Sequence, residues 1–272
     1  MWGFLSFLSK IAVATINPYI FLFLYLIVSI VVSIPFYFKY RIKKRIQTKY
    51  YIYPILAGFF EIIGITTFLV GLTLIPLSLL VPAGSTFVMI PVVLSIIFLK
   101  ERPRKFQLIG IIFAFSGVTI LSIDEATLGL SFTSYGLTLL LISIGSWGLW
   151  GFFSKLAMSH FDPHRFNTVY LIVGVICSSF MFILNYESAQ LSIIMTMESI
   201  VYIIITGFLF TVSAVCFYIA IEKGKLSIVM PLVGLNPAIA VLLSIAFLGE
   251  IFTGFNFIGA ALAITGSILL TR

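Results

Sequence analysis

Charge is what this sequence has least of. Only 9% of its 272 residues are Asp, Glu, Lys or Arg, against about 25% in a soluble globular domain. Hydrophobic residues make up 61% and aromatic residues 16%. This balance excludes a separate soluble domain and points to an all-α polytopic membrane protein. The two cysteines, Cys177 and Cys216, both lie in apolar runs. They read as small core residues, and no disulfide framework is expected. The two histidines, His160 and His164, have an H-x3-H spacing. Pro163 puts a turn between them and no thiolate or carboxylate cluster joins them, so no metal site is expected. HExxH, G-x-S-x-G and P-loop motifs are missing. Their absence argues against an intramembrane enzyme and against direct use of ATP, and no cofactor is implied.

What is present is a succession of apolar runs, each near the roughly 20 residues a membrane-spanning helix needs. They cover 1–16, 19–38, 51–73, 77–99, 106–123, 135–159, 165–184, 199–220, 226–248 and 254–271, ten in all. The net charge of +7 sits in short loops between these runs. It therefore sets membrane orientation and implies no nucleic-acid partner. With 39–49 in the cytoplasm and the sides alternating, the inside loops and Arg272 hold 14 of the 16 basic residues. Asp124, Glu125, Glu187, Glu198 and Glu250 fall outside. Both termini are then expected in the cytoplasm of a plasma-membrane protein. The other two basic residues, Lys10 and Lys155, lie inside apolar runs.

Those lysines belong to a repeat. WGFLSFLSK (2–10) is echoed by WGLWGFFSK (147–155) at an offset of 145, which also relates Pro18 to Pro163. Further on the offset is 149. It relates Gly58 to Gly207, Ser78 to Ser227, Pro82 to Pro231, Ser95 to Ser244 and Glu101 to Glu250, and it pairs Gly110 and Gly117 with Gly259 and Gly266. Such self-similarity marks a duplication. Five runs per copy is an odd number, so the second copy enters the membrane from the opposite side. The expected architecture is two inverted five-helix repeats, 1–123 and 135–272, joined by an extracytoplasmic linker at 124–134. The echo at 147–155 marks the apolar N-terminus as part of the fold and not a leader. The first run is short for a bilayer, and is either a partial span or the start of a longer helix.

The stretches PLSLLVPAGSTFVMIPVVLSIIFLKERPRKFQLIGIIFAFSGVTILS (76–122) and KLSIVMPLVGLNPAIAVLLSIAFLGEIFTGFNFIGAALAITGSILL (225–270) resemble the EamA repeat of the drug/metabolite transporter superfamily, as does the W-G-x6-K element. The resemblance covers nearly the whole chain, twice. It implies ten helices, a central cavity lined from both halves, and movement of a small-molecule substrate by alternating access, with export favoured. Membrane lipid is an obligatory partner, protons are a candidate coupling ion, and the chain is read as a monomer or homodimer. A lipid or isoprenoid-phosphate translocase on the same fold is the alternative, and an intramembrane enzyme a remote one.

Candidate transport residues follow from charge and polarity inside the runs. Glu61 stands about ten residues into the run 51–73, and its repeat counterpart is Phe210. A charge present in one half only is not explained by duplication, and intramembrane acids are functional hypotheses by default. Lys10 is its expected partner and Lys155 the second choice. Trp2, Trp147, Tyr25 and Tyr218 are candidate walls on which a cation or aromatic solute would stack, with Trp150 beside them. Asn236 is polar within an apolar run. Pro82, Pro91, Pro231 and Pro237 are candidate kinks and gates, because proline frees a carbonyl inside a helix. The paired glycines near 110–117 and 259–266 read as a close helix–helix seam. Glu101 and Glu250 read as structural caps or partners of loop bases.

Overall fold

The computed structural model describes residues 1–40, 46–127, 134–185, 196–234, 236–249 and 254–270, and among them every regular element is helical. The first half contributes α1 (Trp2–Val13), α2 (Pro18–Tyr40), α3 (Ile52–Leu74), α4 (Leu77–Gly84), α5 (Met89–Phe98) and α6 (Lys105–Thr127). The second contributes α7 (Ser134–Met158), α8 (Pro163–Leu184), α9 (Met197–Lys223), α10 (Leu226–Val233), α11 (Asn236–Leu248) and α12 (Gly254–Leu270). Among the described residues six stretches are long and apolar enough to cross a membrane: Pro18–Lys39, Thr48–Leu74, Ser134–Met158, Pro163–Leu184, Met197–Lys223 and Leu226–Leu248. Large apolar side chains such as Phe38, Phe98, Ile176 and Ile183 face outward at 60–70% exposure. In water such a surface is an aggregation hazard; in a bilayer it is the lipid face. The chain is a multi-pass membrane protein.

Local chemistry starts the second helix of each half in the same way. Asn17 Oδ1 accepts from Tyr19 N at 2.9 Å, just before Pro18 opens α2. Asp162 Oδ1 accepts from Arg165 N at 2.9 Å, just before Pro163 opens α8. Each side chain satisfies an N–H that has no carbonyl partner within the helix, and proline suits the first helical position because its missing N–H is not needed there.

Two expectations change. The runs 77–99 and 226–248 are not continuous kinked helices. The first is α4, a 3-10 turn over Ser85–Val88, and then α5. The second is α10 and α11, with Gly234 ending α10. Pro91, Pro231 and Pro237 each lack the N–H that the carbonyl four residues back would receive. The breaks fall beside Pro91 and between Pro231 and Pro237. The other change is that α6 runs on through Asp124 and Glu125 to Thr127, four residues into the stretch expected to be linker. Residues 128–133, Glu187 and Glu250 lie outside the described residues.

The halves interdigitate rather than standing side by side. Helix α3 packs along α7 and α8, α2 against α8 and α9, and α1 against α9 and α11. Helix α6 lies along α12 for most of its length, with Gly110, Gly117, Gly259 and Gly266 all buried. Glycines let these backbones approach closely. The crossing of α3 and α8 has a counterpart at α9 and α2. A Cβ added to Gly58 would stand 3.0 Å from Tyr170 O and 2.9 Å from Val173 Cβ. One added to Gly207 would stand 2.6 Å from Tyr25 O and 2.7 Å from Val28 Cβ. These partners are related by the same offset of 145 that relates the opening motifs.

Candidate functional site

The two W-G-x6-K segments show what each of their letters does. Trp2 packs its ring on Trp150 and Phe217 at centroid distances of 5.5 and 5.3 Å. Trp147 packs on Phe68 and Phe87 at 5.1 and 5.5 Å. Each tryptophan thus reaches into the opposite half. The glycines do the same: a Cβ at Gly3 would strike the Asn236 carbonyl, and one at Gly148 would meet Ile90 Cβ at 2.5 Å. Each glycine therefore admits a broken helix of the other half, near the end of α5 or of α11 that adjoins the break. The lysines turn back into their own half. Lys10 Nζ donates to Leu72 O and Ile75 O at 2.6 and 3.1 Å. Lys155 Nζ donates to Ile221 O and Gly224 O, both at 2.6 Å. Both ammonium groups cap the C-terminal end of a long helix, α3 or α9, where carbonyls lack intrahelical donors and the helix dipole favours positive charge.

This corrects the expected Glu61–Lys10 pair. Lys10 binds the end of α3, about three turns, or ~16 Å along the axis, beyond Glu61. Lys155 likewise binds the end of α9. An ammonium held by helix-end carbonyls is not available to a carboxylate at mid-helix, and duplication explains both lysines together.

Glu61 opens on a cavity of about 780 Å³ of empty space, mouth included. The wall is drawn from α1, α2, α3, α4, α7, α9, the Ser85–Val88 turn and the start of α11. Trp2, Tyr25, Glu61, Trp147 and Asn236 from the sequence reading all line it, with Trp150, Phe68, Phe87, Thr206 and Phe210. Glu61 is the sole charged side chain among the described residues of this wall. It is 5% exposed, and its Oε2 meets no hydrogen-bond partner. Tyr170 stands beside the carboxyl group, and Tyr25 and Tyr218 are within reach of its charge. Phe210, the repeat counterpart of Glu61, is on the same wall and packs on Tyr25 at 5.6 Å. Trp147 fits because α3 offers no side chain opposite it: a Cβ at Gly64 would stand 2.7 Å from its ring.

Tyr218 is fully buried behind the wall, edge-on to Phe166 at 4.6 Å and to Tyr170 at 5.9 Å. Lys10 and Lys155 are not on the wall. The helix breaks bring Ser85, Phe87 and Asn236 to the cavity, while Pro91 and Pro231 are buried and off its wall. Sequence reasoning missed Tyr170, Thr206, Phe68 and Phe87. The offset of 145 relates Tyr25 to Tyr170, and 149 relates Phe68 to Phe217, so the repeat carried a signal for two of them.

Glu101 joins the halves at one end of the bundle. Its Oε1 accepts from Leu226 N at 3.0 Å and its Oε2 from Ser227 N at 2.9 Å, capping α10 from across the repeat boundary. Lys225 Nζ returns a bond to Arg102 O at 3.2 Å. Burial pushes the Glu101 carboxyl group up, but the Ser227 hydroxyl, the two N–H groups and nearby Lys155 outweigh it and hold the group below the ordinary carboxylate value. His160 stacks on Tyr50 with ring centroids 3.5 Å apart, and His164 on Phe36 at 6.3 Å. The two imidazoles therefore pack against separate aromatic partners.

Comparison with known proteins agrees with this architecture. The model of the EamA-like transporter family matches residues 1–123 and 134–272. An uncharacterized protein of Methanocaldococcus jannaschii is 34% identical over 125 residues, which are 46% of this chain and 88% of that protein. An uncharacterized transporter of Acidianus ambivalens is 38% identical over 90 residues, 33% of this chain and 34% of its own length, so this match spans about a third of that relative. A protein crystal structure superposes with a TM-score of 0.76 over 99% of this chain and 96% of its own, at 16% identity. That likeness is one of fold.

Proposed function

Since this chain belongs to the EamA-like transporter family, we propose that it is a secondary transporter carrying a small polar or amphipathic metabolite through the Glu61 cavity by alternating access. The frame we assign to it is ten spans in two inverted five-helix repeats, 1–123 and 135–272, with both termini in the cytoplasm and export as the favoured direction. One observation carries the reading: a single cavity takes its walls from both halves and holds one buried carboxylate. Transporters built from inverted repeats place their sites at the repeat interface and build them with broken helices. The matched contacts of Gly58 with Gly207, of Trp2 with Trp147 and of Lys10 with Lys155 support the repeat. So does the Methanocaldococcus jannaschii protein, 88% of which is matched by less than half of this chain.

The test is thermal stability of the purified protein against amino acids, sugars, amines and lipid phosphates, followed by flux of the responding class in proteoliposomes. A ligand of the folded state at about 100 times its Kd stabilises by about 2.7 kcal/mol. The expected result is one class that both raises Tm and crosses the vesicle membrane, with both effects reduced in Trp147→Ala. Unchanged flux in that variant would move the site out of this cavity. A response to lipid phosphates alone would favour a translocase.

A further inference from the structure

Several polar features of the cavity wall bear on the sign of charge it accepts. Glu61 is the sole charged group among the described wall residues, and its Oε2 has no partner. A buried carboxylate without a counter-ion is costly, and the wall supplies no lysine, arginine or histidine to offset it among those residues. The hydroxyl groups point the same way. Ser6 Oγ donates to Trp2 O at 3.2 Å, and Ser85 Oγ to Val81 O at 2.7 Å. Their protons are committed to carbonyls, so towards the cavity they offer lone pairs. Thr206 Oγ1 is buried and unpartnered on the same wall. An unpartnered hydroxyl can accept or donate, and Trp150 Nε1 is an unpartnered buried donor of that wall. The remaining surface is largely aromatic, and ring faces attract cations.

Resting on the transporter reading, we infer that the occupant of this cavity is an organic monocation: a primary or substituted ammonium group set against Glu61, on an apolar or aromatic body held among the tryptophans. The ammonium supplies the counter-charge that the wall lacks and donates to Glu61 Oε2. The body fills the aromatic space between Trp2 and Trp147. An anionic solute would meet the one acidic group of the wall and find no base among its described residues. A neutral solute would leave the carboxylate uncompensated. The site thus selects by charge sign before shape.

The chain provides its own probe. It has three tryptophans, and Trp2, Trp147 and Trp150 all line this cavity, so intrinsic tryptophan emission reports on this site. The full-length protein in detergent is titrated at pH 7.5 with three ligands of similar size: phenethylammonium, phenethyl alcohol and 3-phenylpropionate. We expect the cation to change the emission with an affinity at least tenfold tighter than the alcohol, and the anion to be weakest. Glu61→Gln should erase the order, bringing the three within about twofold. Moving the charge by Glu61→Phe with Phe210→Glu should restore part of the preference, because the two positions share the wall. Equal affinities in the parent protein, a preference for the anion, no response to the cation, or an undiminished preference in Glu61→Gln would each overturn the inference. The parent comparison decides even if a variant fails to fold. Binding without charge preference would leave the transporter reading standing. That reading would fall separately, if no tested class crossed the vesicle membrane.

Discussion

Lys10 and Lys155 occupy equivalent places and do the same job; Glu61 and Phe210 occupy equivalent places and do not. Each lysine caps the C-terminal end of the long helix of its own half. At the cavity one half presents a buried carboxylate and the other a phenyl ring. Position inside an apolar run makes all three charges look alike, because the bilayer penalises any of them. The repeat separates them. A charge kept in both copies is explained by a need of the fold, here helix-end carbonyls with no donor. A charge kept in one copy needs a cause that breaks the symmetry, and a ligand that lies off the pseudo-axis is such a cause.

The sharpest way to break the comparison is to remove the charge from the unique position. Glu61→Gln should lower substrate flux in proteoliposomes about 100-fold, in keeping with ~2–3 kcal/mol for a hydrogen bond to a charged group, while leaving Tm within a few degrees. A large fall in Tm with normal flux per folded molecule would make Glu61 structural. Next come the paired glycine crossings. Gly207→Ala should destabilise by about 2–3 kcal/mol, because its Cβ would meet backbone at Tyr25 O at 2.6 Å. Gly58→Ala should cost less, its closest contact being 2.9 Å. Thermal unfolding of the two variants measures the asymmetry, and the reverse order would contradict it.

The lysines should behave as a matched pair. Lys155→Met leaves Ile221 O and Gly224 O without their donor, and Lys10→Met does the same for Leu72 O and Ile75 O. Each should lower stability by about 2 kcal/mol, with ligand affinity in the surviving folded fraction unchanged. Loss of affinity at normal Tm would transfer the lysines to the site. The smallest effect belongs to Glu101. Its carboxyl group is held below its ordinary value in the fold, so its contribution is complete above the unfolded pKa of about 4.3. That contribution is lost as pH falls through the lower folded value. Glu101→Gln should cost about 1 kcal/mol at pH 7, as for loss of a helix cap. The gap in Tm between parent and variant should close on acidification to pH 3. A gap that widened would reverse the assigned direction.

Much of the helical layout was legible in the chain, since helix starts rest on local rules. Asn17-Pro18 and Asp162-Pro163 carry a cap and a first-position proline within two letters. Broken helices were half legible: Pro231 and Pro237 announced irregularity, but whether a helix bends or stops depends on what receives the freed carbonyls. Lys10 was misread because a lysine and a glutamate near mid-membrane suggest a pair, whereas its ammonium group meets the carbonyls of Leu72 and Ile75. Those become neighbours only when α1 packs beside the end of α3. Tyr170 escaped notice because nothing in a lone tyrosine says that it will stand beside a carboxylate from another helix.

Composition was enough to establish a membrane-embedded helical protein, and the paired offsets to suggest two related halves, because hydrophobic length, capping and self-similarity are properties of contiguous residues. Which lysine meets which carbonyl, which helices stop short, and which side chains surround Glu61 were decided only when α2, α3, α8 and α9 crossed. Those contacts join residues far apart in the chain, 62 to 69 positions for the lysines and their carbonyls. Their distances are set by how closely glycine-lined backbones approach, and no local pattern in the chain encodes that.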